Sequence, residues 1–143
     1  MQSNPSYILA LDVGHKRIGV AIASTAARIA SPLTTLDAEV DVIDQLRTLI
    51  DQKAVTELVI GLPRGLNGQE TTQTASVRTF AATLAQFGLP VHFQDEAVTS
   101  QKAKAELNAR GKQYVKGDID ALAASYILED FLSAFSPVNL QAE

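Results

Sequence analysis

Cysteine is absent from the 143 residues of the chain. That excludes disulfides and thiolate zinc sites, and it fits a cytoplasmic protein. Long apolar runs are absent too. A membrane helix needs about 18 or more such residues in succession, so none is expected here. The opening MQSNPSY is polar and has no basic-then-apolar pattern, so no signal peptide is expected. There are no internal repeats and no interdomain linker. A net positive charge is also missing. Sixteen acids face twelve Lys and Arg, a balance of −4. Taken alone, that sum argues against nucleic acid as a partner.

The distribution of charge says more than the sum. Lys102, Lys104, Arg110, Lys112 and Lys116 fall in one stretch whose sole acid is Glu106. The acids crowd elsewhere, as at Asp37, Glu39, Asp41 and Asp44. Otherwise the composition is ordinary for a soluble globular protein, with 46% apolar and 20% charged residues. The length suits a single domain over 1–143, with a frayed tail over 136–143.

Strands are expected over 7–13 and 17–24, joined as a hairpin, and over 29–36, where Pro32 suggests an edge or a bulge. Val42, Ile43, Leu46, Leu49 and Ile50 recur at helical spacing within 39–52. A short buried strand follows over 57–63, then a Pro/Gly/Asn-rich loop over 63–70. A helix over 71–88 is closed by Gly88 and Pro90, and a strand spans 90–96. Further helices are expected over 99–111 and 118–135. The order reads βββαβαβα, its C-terminal helical part comprising both of these last segments. It implies an α/β fold, a mixed sheet of about five strands flanked by helices.

Carboxylates mark the ends of these elements. Asp12 ends the first strand, Asp95 and Glu96 end the last, and Asp118 and Asp120 open the final helix. Sites in open α/β sheets collect at such places. If the first and last strands are neighbours, Asp12 and Glu96 converge and the helix brings Asp120 beside them. Carboxylates packed together repel, and a cation relieves them. Oxygen ligands of this kind suit Mg²⁺ or Mn²⁺. Each acid also has a plainer explanation. Asp118 is a plausible helix N-cap, Asp120 is favoured by the helix dipole, and Asp95 suits a turn. Asp12 resists such explanation, because so apolar a strand takes no acid for packing. Gly14 suits the turn, and Gly19 marks a place where the strand needs no side chain. His15 reads as a solvated turn residue. The Gly61–Gly68 loop lacks the Gly-Lys-Ser/Thr ending of a phosphate-binding Walker loop.

Four segments carry a resemblance. LALDVGHKRIGVAIAS resembles the opening motif of the YqgF/RuvX family, Asp-x-Gly-x-Lys-Arg-Ile-Gly-Val-Ala. VIGLPRGLNGQ resembles its Gly-Leu-Pro loop, FQDEAVTSQKAKAEL its Asp-Glu-Arg-Leu-Thr-Thr segment, and KGDIDALAASYILEDFL its closing helix. They occur in family order across about residues 7–132. The resemblance implies an RNase H-like fold and a metal-dependent nuclease related to Holliday junction resolvases. It also implies a role in maturing the 5′ end of pre-16S rRNA, with structured RNA, branched DNA or ribosomal precursor particles as partners. Carried over by position, the catalytic and metal-binding acids are Asp12, Glu96 and Asp120, and Lys16 and Arg17 match the basic pair. Ala97 stands where the family has a large residue, usually Arg, and Ser100 replaces a Thr. Arg64 is atypical of its loop and is expected to help with phosphate. Lys102, Lys104, Arg110, Lys112 and Lys116 would complete a positive rim around the acids.

Two rivals share some of these features. An ATP-binding domain of the actin and sugar-kinase type also has an Asp-x-Gly hairpin, but that fold closes two domains around one nucleotide. A non-catalytic RNA-binding or ribosome-assembly factor would keep the basic stretch without needing the acids.

Overall fold

The computed structural model describes residues 5–96 and 116–134. Its elements are β1 (Tyr7–Val13), β2 (Arg17–Ser24), β3 (Ser31–Asp37), α1 (Val42–Gln52), β4 (Val55–Pro63), α2 (Thr72–Thr83), a 3₁₀ turn (Leu84–Phe87), β5 (Val91–Glu96) and α3 (Lys116–Ala134). The helix expected over 99–111 lies outside the described residues.

The strands form one five-stranded sheet in the order β3-β2-β1-β4-β5. β1, β2 and β3 pair antiparallel, whereas β4 lies parallel to β1 and β5 parallel to β4. The first and last strands are therefore not neighbours, and that condition for bringing Asp12 to Glu96 is not met. β2 takes one edge of β1 through the hairpin. The crossover through α1 returns β4 to the other edge, and β5 can join only outside it.

Local chemistry accounts for most boundaries. β3 is an edge strand, and its register with β2 shifts between Val20 and Ala21, beside Pro32. α1 starts at Val42, the first of its periodic apolar residues and not at 39, because the Asp37 carboxylate accepts the Glu39 backbone N–H and holds the chain in a turn. α2 opens on a capping box, in which Thr71 and Thr74 satisfy each other's backbone N–H groups. The helix then tightens into the 3₁₀ turn and stops at Gly88, whose φ of 70° favours glycine. α3 begins at Lys116, two residues before Asp118. Asp118 therefore lies in its first turn and is not its N-cap.

Strand alternation sorts side chains to two faces. Leu9, Leu11, Ile18, Val20, Leu58, Ile60 and Leu62 pack under α1 and α2, against Leu46, Val77 and Ala81. Ile8, Ala10, Ala21, Ala23 and Val59 pack under α3, against Ala124, Ile127, Leu128 and Phe131. Alanines on both sides of that second interface let the helix come close to the sheet. Each large apolar side chain sealed there contributes about 1.5–3 kcal/mol.

Candidate active site

Asp12 continues the Ile8–Ala10 row, so it emerges on the α3 face. Its register partner across the hairpin is Gly19. That glycine is what brings the helix in. A Cβ at position 19 would fall on the backbone carbonyl of Asp120. The first turns of α3 thus rest on bare β2 backbone, beside Asp12. Asp120 comes near enough for its negative charge to act on Asp12. Burial, and secondarily that charge, push the Asp12 carboxyl up from 3.8 to about 6.

Glu96 reaches the same face from β5. In that strand His92 stacks on Phe131 of α3, with ring centroids 5.0 Å apart, and Glu96 follows it in the even-numbered row. β4 separates β5 from β1, but it carries Gly61 at the point between them. A Cβ there would strike Ile127 and lie 3.7 Å from Glu96 Cγ. The missing side chain leaves a notch that Glu96 leans across, with Oε1 sealed from solvent. Asp12 and Glu96 thus share one face of the sheet without strand adjacency, with the Gly61 notch in the strand between them.

Asp118 and Asp95 do not join them. Asp118 is exposed on α3. Asp95 emerges on the opposite face of β5 from Glu96, where its Oδ1 accepts from Arg64 Nε at 3.1 Å. Arg64, expected near phosphate, also donates to Glu70 Oε2 at 3.3 Å. Glu70 accepts two further bonds from Arg78, and these hydrogen bonds chiefly hold its carboxyl below the usual range. Arg64 therefore braces the β4–α2 loop. Its backbone N–H donates to the Glu96 carbonyl, which ties that loop to the end of β5.

Of the basic pair in the hairpin, Lys16 is exposed at the turn. Arg17 points to the α3 face and donates Nε–H to Asp120 Oδ2 at 2.6 Å. Sequence reasoning placed Arg17 near the site but missed this pairing. It also missed the structural work of Gly19 and Gly61. The signal was present: each is a glycine inside an apolar strand, where it otherwise weakens the strand. His15 is exposed and lines a cavity of about 220 Å³ with Gln73, Ser76 and Phe80, on the face away from the acids. Lys102, Lys104, Arg110, Lys112, Ala97 and Ser100 lie outside the described residues, and of Lys116 only the backbone is described.

The donor set suits a hard divalent cation. It is all carboxylate, Asp12 is driven toward its neutral form by burial and by the charge of Asp120, and Glu96 has an oxygen sealed from solvent. Among the described residues the acids do not close into a three-ligand cage. Asp120 gives Oδ2 to Arg17.

Comparison with known proteins identifies the family. The family model described as "RuvX: Holliday junction resolvase" matches residues 6–134. A relative from Chloroflexus aurantiacus is 43% identical over 136 residues, covering 92% of this chain and 89% of the relative. One from Moorella thermoacetica is 42% identical over 133 residues, covering 87% and 93%. One from Legionella pneumophila is 37% identical over 129 residues, again covering 87% and 93%. All three bear the name "Putative pre-16S rRNA nuclease". Among solved structures, T. thermophilus RuvC in complex with a Holliday junction substrate superposes with a TM-score of 0.52. It is 12% identical and covers 92% of this chain and 96% of its own, a likeness of fold alone. The matches in sequence make the chain a member of the RuvX family, and its sheet order and likeness of fold make that fold RNase H-like.

Proposed function

We propose that this chain is a nuclease that hydrolyses phosphodiester bonds of structured RNA, acting on the 5′ end of pre-16S rRNA in ribosomal precursor particles in the cytoplasm. The observation that supports the reading is the crowding of Asp120 against buried Asp12 over Gly19, on the sheet face that Glu96 also reaches beside Gly61. A binding module gains nothing from forcing two carboxylates together at a cost in stability. A catalyst does, because the strain selects a cation.

Asp12, Glu96 and Asp120 would hold Mg²⁺ or Mn²⁺. When bound, such an ion polarises a phosphoryl oxygen and lowers the pKa of water. The chain's own residues do the rest. Asp12 is fixed on a strand paired on both sides, which limits its wander. Above about pH 6 it is ionised and ready as a ligand. Lys16, exposed at the hairpin, offers positive charge to the substrate backbone. Lys102, Lys104, Arg110, Lys112 and Lys116 would extend that charge along the strand. Among the described residues no helix is long and apolar enough to cross a membrane.

The description of the matching family favours a second reading, cleavage of branched DNA. One assay separates the two. Single-stranded RNA, an rRNA precursor, duplex DNA and a four-way junction are incubated with Mg²⁺, with Mn²⁺ and with EDTA. Preferential cleavage of the precursor supports the RNA reading, and preferential cleavage of the junction supports the DNA reading. Equal cleavage in EDTA overturns the metal-dependent site.

A further inference from the structure

We propose that Arg17 is a positioning residue that stands in for the cation at Asp120 and passes to a substrate phosphate when a divalent ion arrives, coupling ion binding to nucleic-acid binding. This rests on the nuclease reading above.

Three observations lead there. First, Arg17 reaches Asp120 through Nε alone, at 2.6 Å. Among the described residues, its two terminal nitrogens have no protein acceptor. Those nitrogens form the fork that grips phosphate oxygens in pairs. Second, the pair is part-buried, with 39% of the Arg17 side chain and 20% of the Asp120 side chain exposed, so water reaches it from the Arg17 side. Discounted for that screening, the contact favours its partners by about fivefold. A doubly charged ion drawing on Asp12 and Glu96 as well outcompetes it. Third, among the described residues the acids do not close into a three-ligand cage, and Asp120 Oδ2 is taken by Arg17.

The charged groups around Asp120 define the exchange. Asp12 faces it from β1 and Arg17 from β2. Glu96 approaches from β5 across Gly61, and Asp118 lies outward on α3 itself. Arg17 is the sole cation in that set. With no divalent ion present it offsets one of two crowded negative charges. Once an ion does so, the guanidinium is superfluous at Asp120 and lies at the edge of the site, with its fork open to solvent. Linkage then requires reciprocity: bound ion raises affinity for nucleic acid, and bound nucleic acid raises affinity for the ion by the same factor.

The test measures Mn²⁺ affinity at pH 7.5 without nucleic acid, from the electron paramagnetic resonance signal of the free ion. The wild type, Arg17→Gln, Arg17→Lys and Lys16→Gln are compared. Circular dichroism of each establishes that it is folded. Loss of the competitor should tighten Mn²⁺ binding in Arg17→Gln by about three- to fivefold, the range a part-exposed ion pair allows. Lys16→Gln removes the same charge one residue away without touching Asp120, and should change affinity by less than about twofold. Arg17→Lys should stay near wild type. A purely supportive role for Arg17 predicts the opposite sign, a weaker ion site in Arg17→Gln. That result, or equal tightening in Lys16→Gln, overturns the proposal. Failure of the wild type to bind Mn²⁺ differently from Asp12→Asn overturns the metal reading beneath it. A second measurement needs no variant at Arg17. In wild-type protein the Arg17 Nε–H resonance should be protected from exchange without metal and lose that protection with Mg²⁺. A resonance unmoved at saturating Mg²⁺ sinks the exchange.

Discussion

The backbone carbonyl of Asp120 occupies the space that a Cβ at Gly19 would need. The helix carrying one acid is therefore seated on the strand position paired with another, Asp12. Gly19→Ala has nowhere to place its methyl unless α3 lifts. Overpacking of this kind costs about 1–3 kcal/mol. The variant should lose that much stability in urea denaturation. It should also lose most nuclease activity, because Asp120 moves with the helix. Ala21→Gly on the same strand is the comparison: it leaves room rather than removing it and should spare activity far better. Undiminished cleavage by Gly19→Ala would show that the seat does not position Asp120.

Asp12 makes the metal-free protein less stable as pH rises. Its carboxyl titrates near 6 in the folded chain against 3.8 when free. Between those values the folded state holds more proton than the unfolded state, so unfolding free energy falls with rising pH, and above about 6 the whole penalty is present. A shift of that size corresponds to about 2–3 kcal/mol. Asp12→Asn, which cannot ionise, should therefore be more stable than wild type at pH 7.5 in EDTA by up to about that amount. The gap should close toward pH 4. Glu70, whose carboxyl shifts the other way, is common to both proteins and cancels. Urea curves at four pH values decide this, and equal stability at pH 7.5 would contradict it.

Divalent ions should reverse that penalty. At a hundredfold excess over its dissociation constant, a ligand specific to the folded state stabilises by about 2.7 kcal/mol. Millimolar Mg²⁺ or Mn²⁺ should raise the melting temperature of wild type, and Asp12→Asn should blunt the rise. Below about pH 6 the proton competes for Asp12, and the rise should shrink. A flat melting temperature at ion concentrations that support cleavage would count against the site.

The acids should separate by role. Asp12→Asn, Glu96→Gln and Asp120→Asn each keep size and one acceptor oxygen while removing a charge. Each should lower the cleavage rate by at least about a hundredfold, a loss of about 2.7 kcal/mol of transition-state stabilisation. Asp118→Asn, exposed on α3, should change it by less than about threefold. Single-turnover cleavage with a labelled substrate measures all four. An Asp118 variant as inactive as the Asp120 variant would reassign the acid on the helix.

An acidic protein that holds a polyanion must localise its positive charge. Binding of a single-stranded substrate should weaken with salt, with a log–log slope near −0.7 for each phosphate neutralised. Replacing Lys102, Lys104 and Lys112 together by Ala should flatten the slope and raise KM more than it lowers the rate of the chemical step. An unaltered slope would place the nucleic acid elsewhere.

Much of the fold was legible in the residues because local physics writes it there. Aliphatic runs, the Thr71 cap, Gly88 and the proline at position 32 act over a few residues, and they mark strands and ends wherever the chain goes. Asp12 stood out for a local reason as well, since an acid in so apolar a strand is otherwise costly. Placement at element ends pointed to Glu96 and Asp120 among the four other candidate acids, and the resemblance to RuvX proteins implies the same two.

Contacts between distant parts of the chain decided the rest. Strand order followed from which edge of β1 stood open once β2 had taken the other, and no short stretch encodes that. The notch that Glu96 leans across depended on Gly61 in the strand between β1 and β5. Arg17 and Asp120 lie 103 positions apart and became partners only when α3 settled on Gly19. The sequence determined which groups could carry the chemistry, because that depends on residue type. The tertiary structure determined which of them share one small volume, because charge interactions and close contacts act through distance in space and not along the chain.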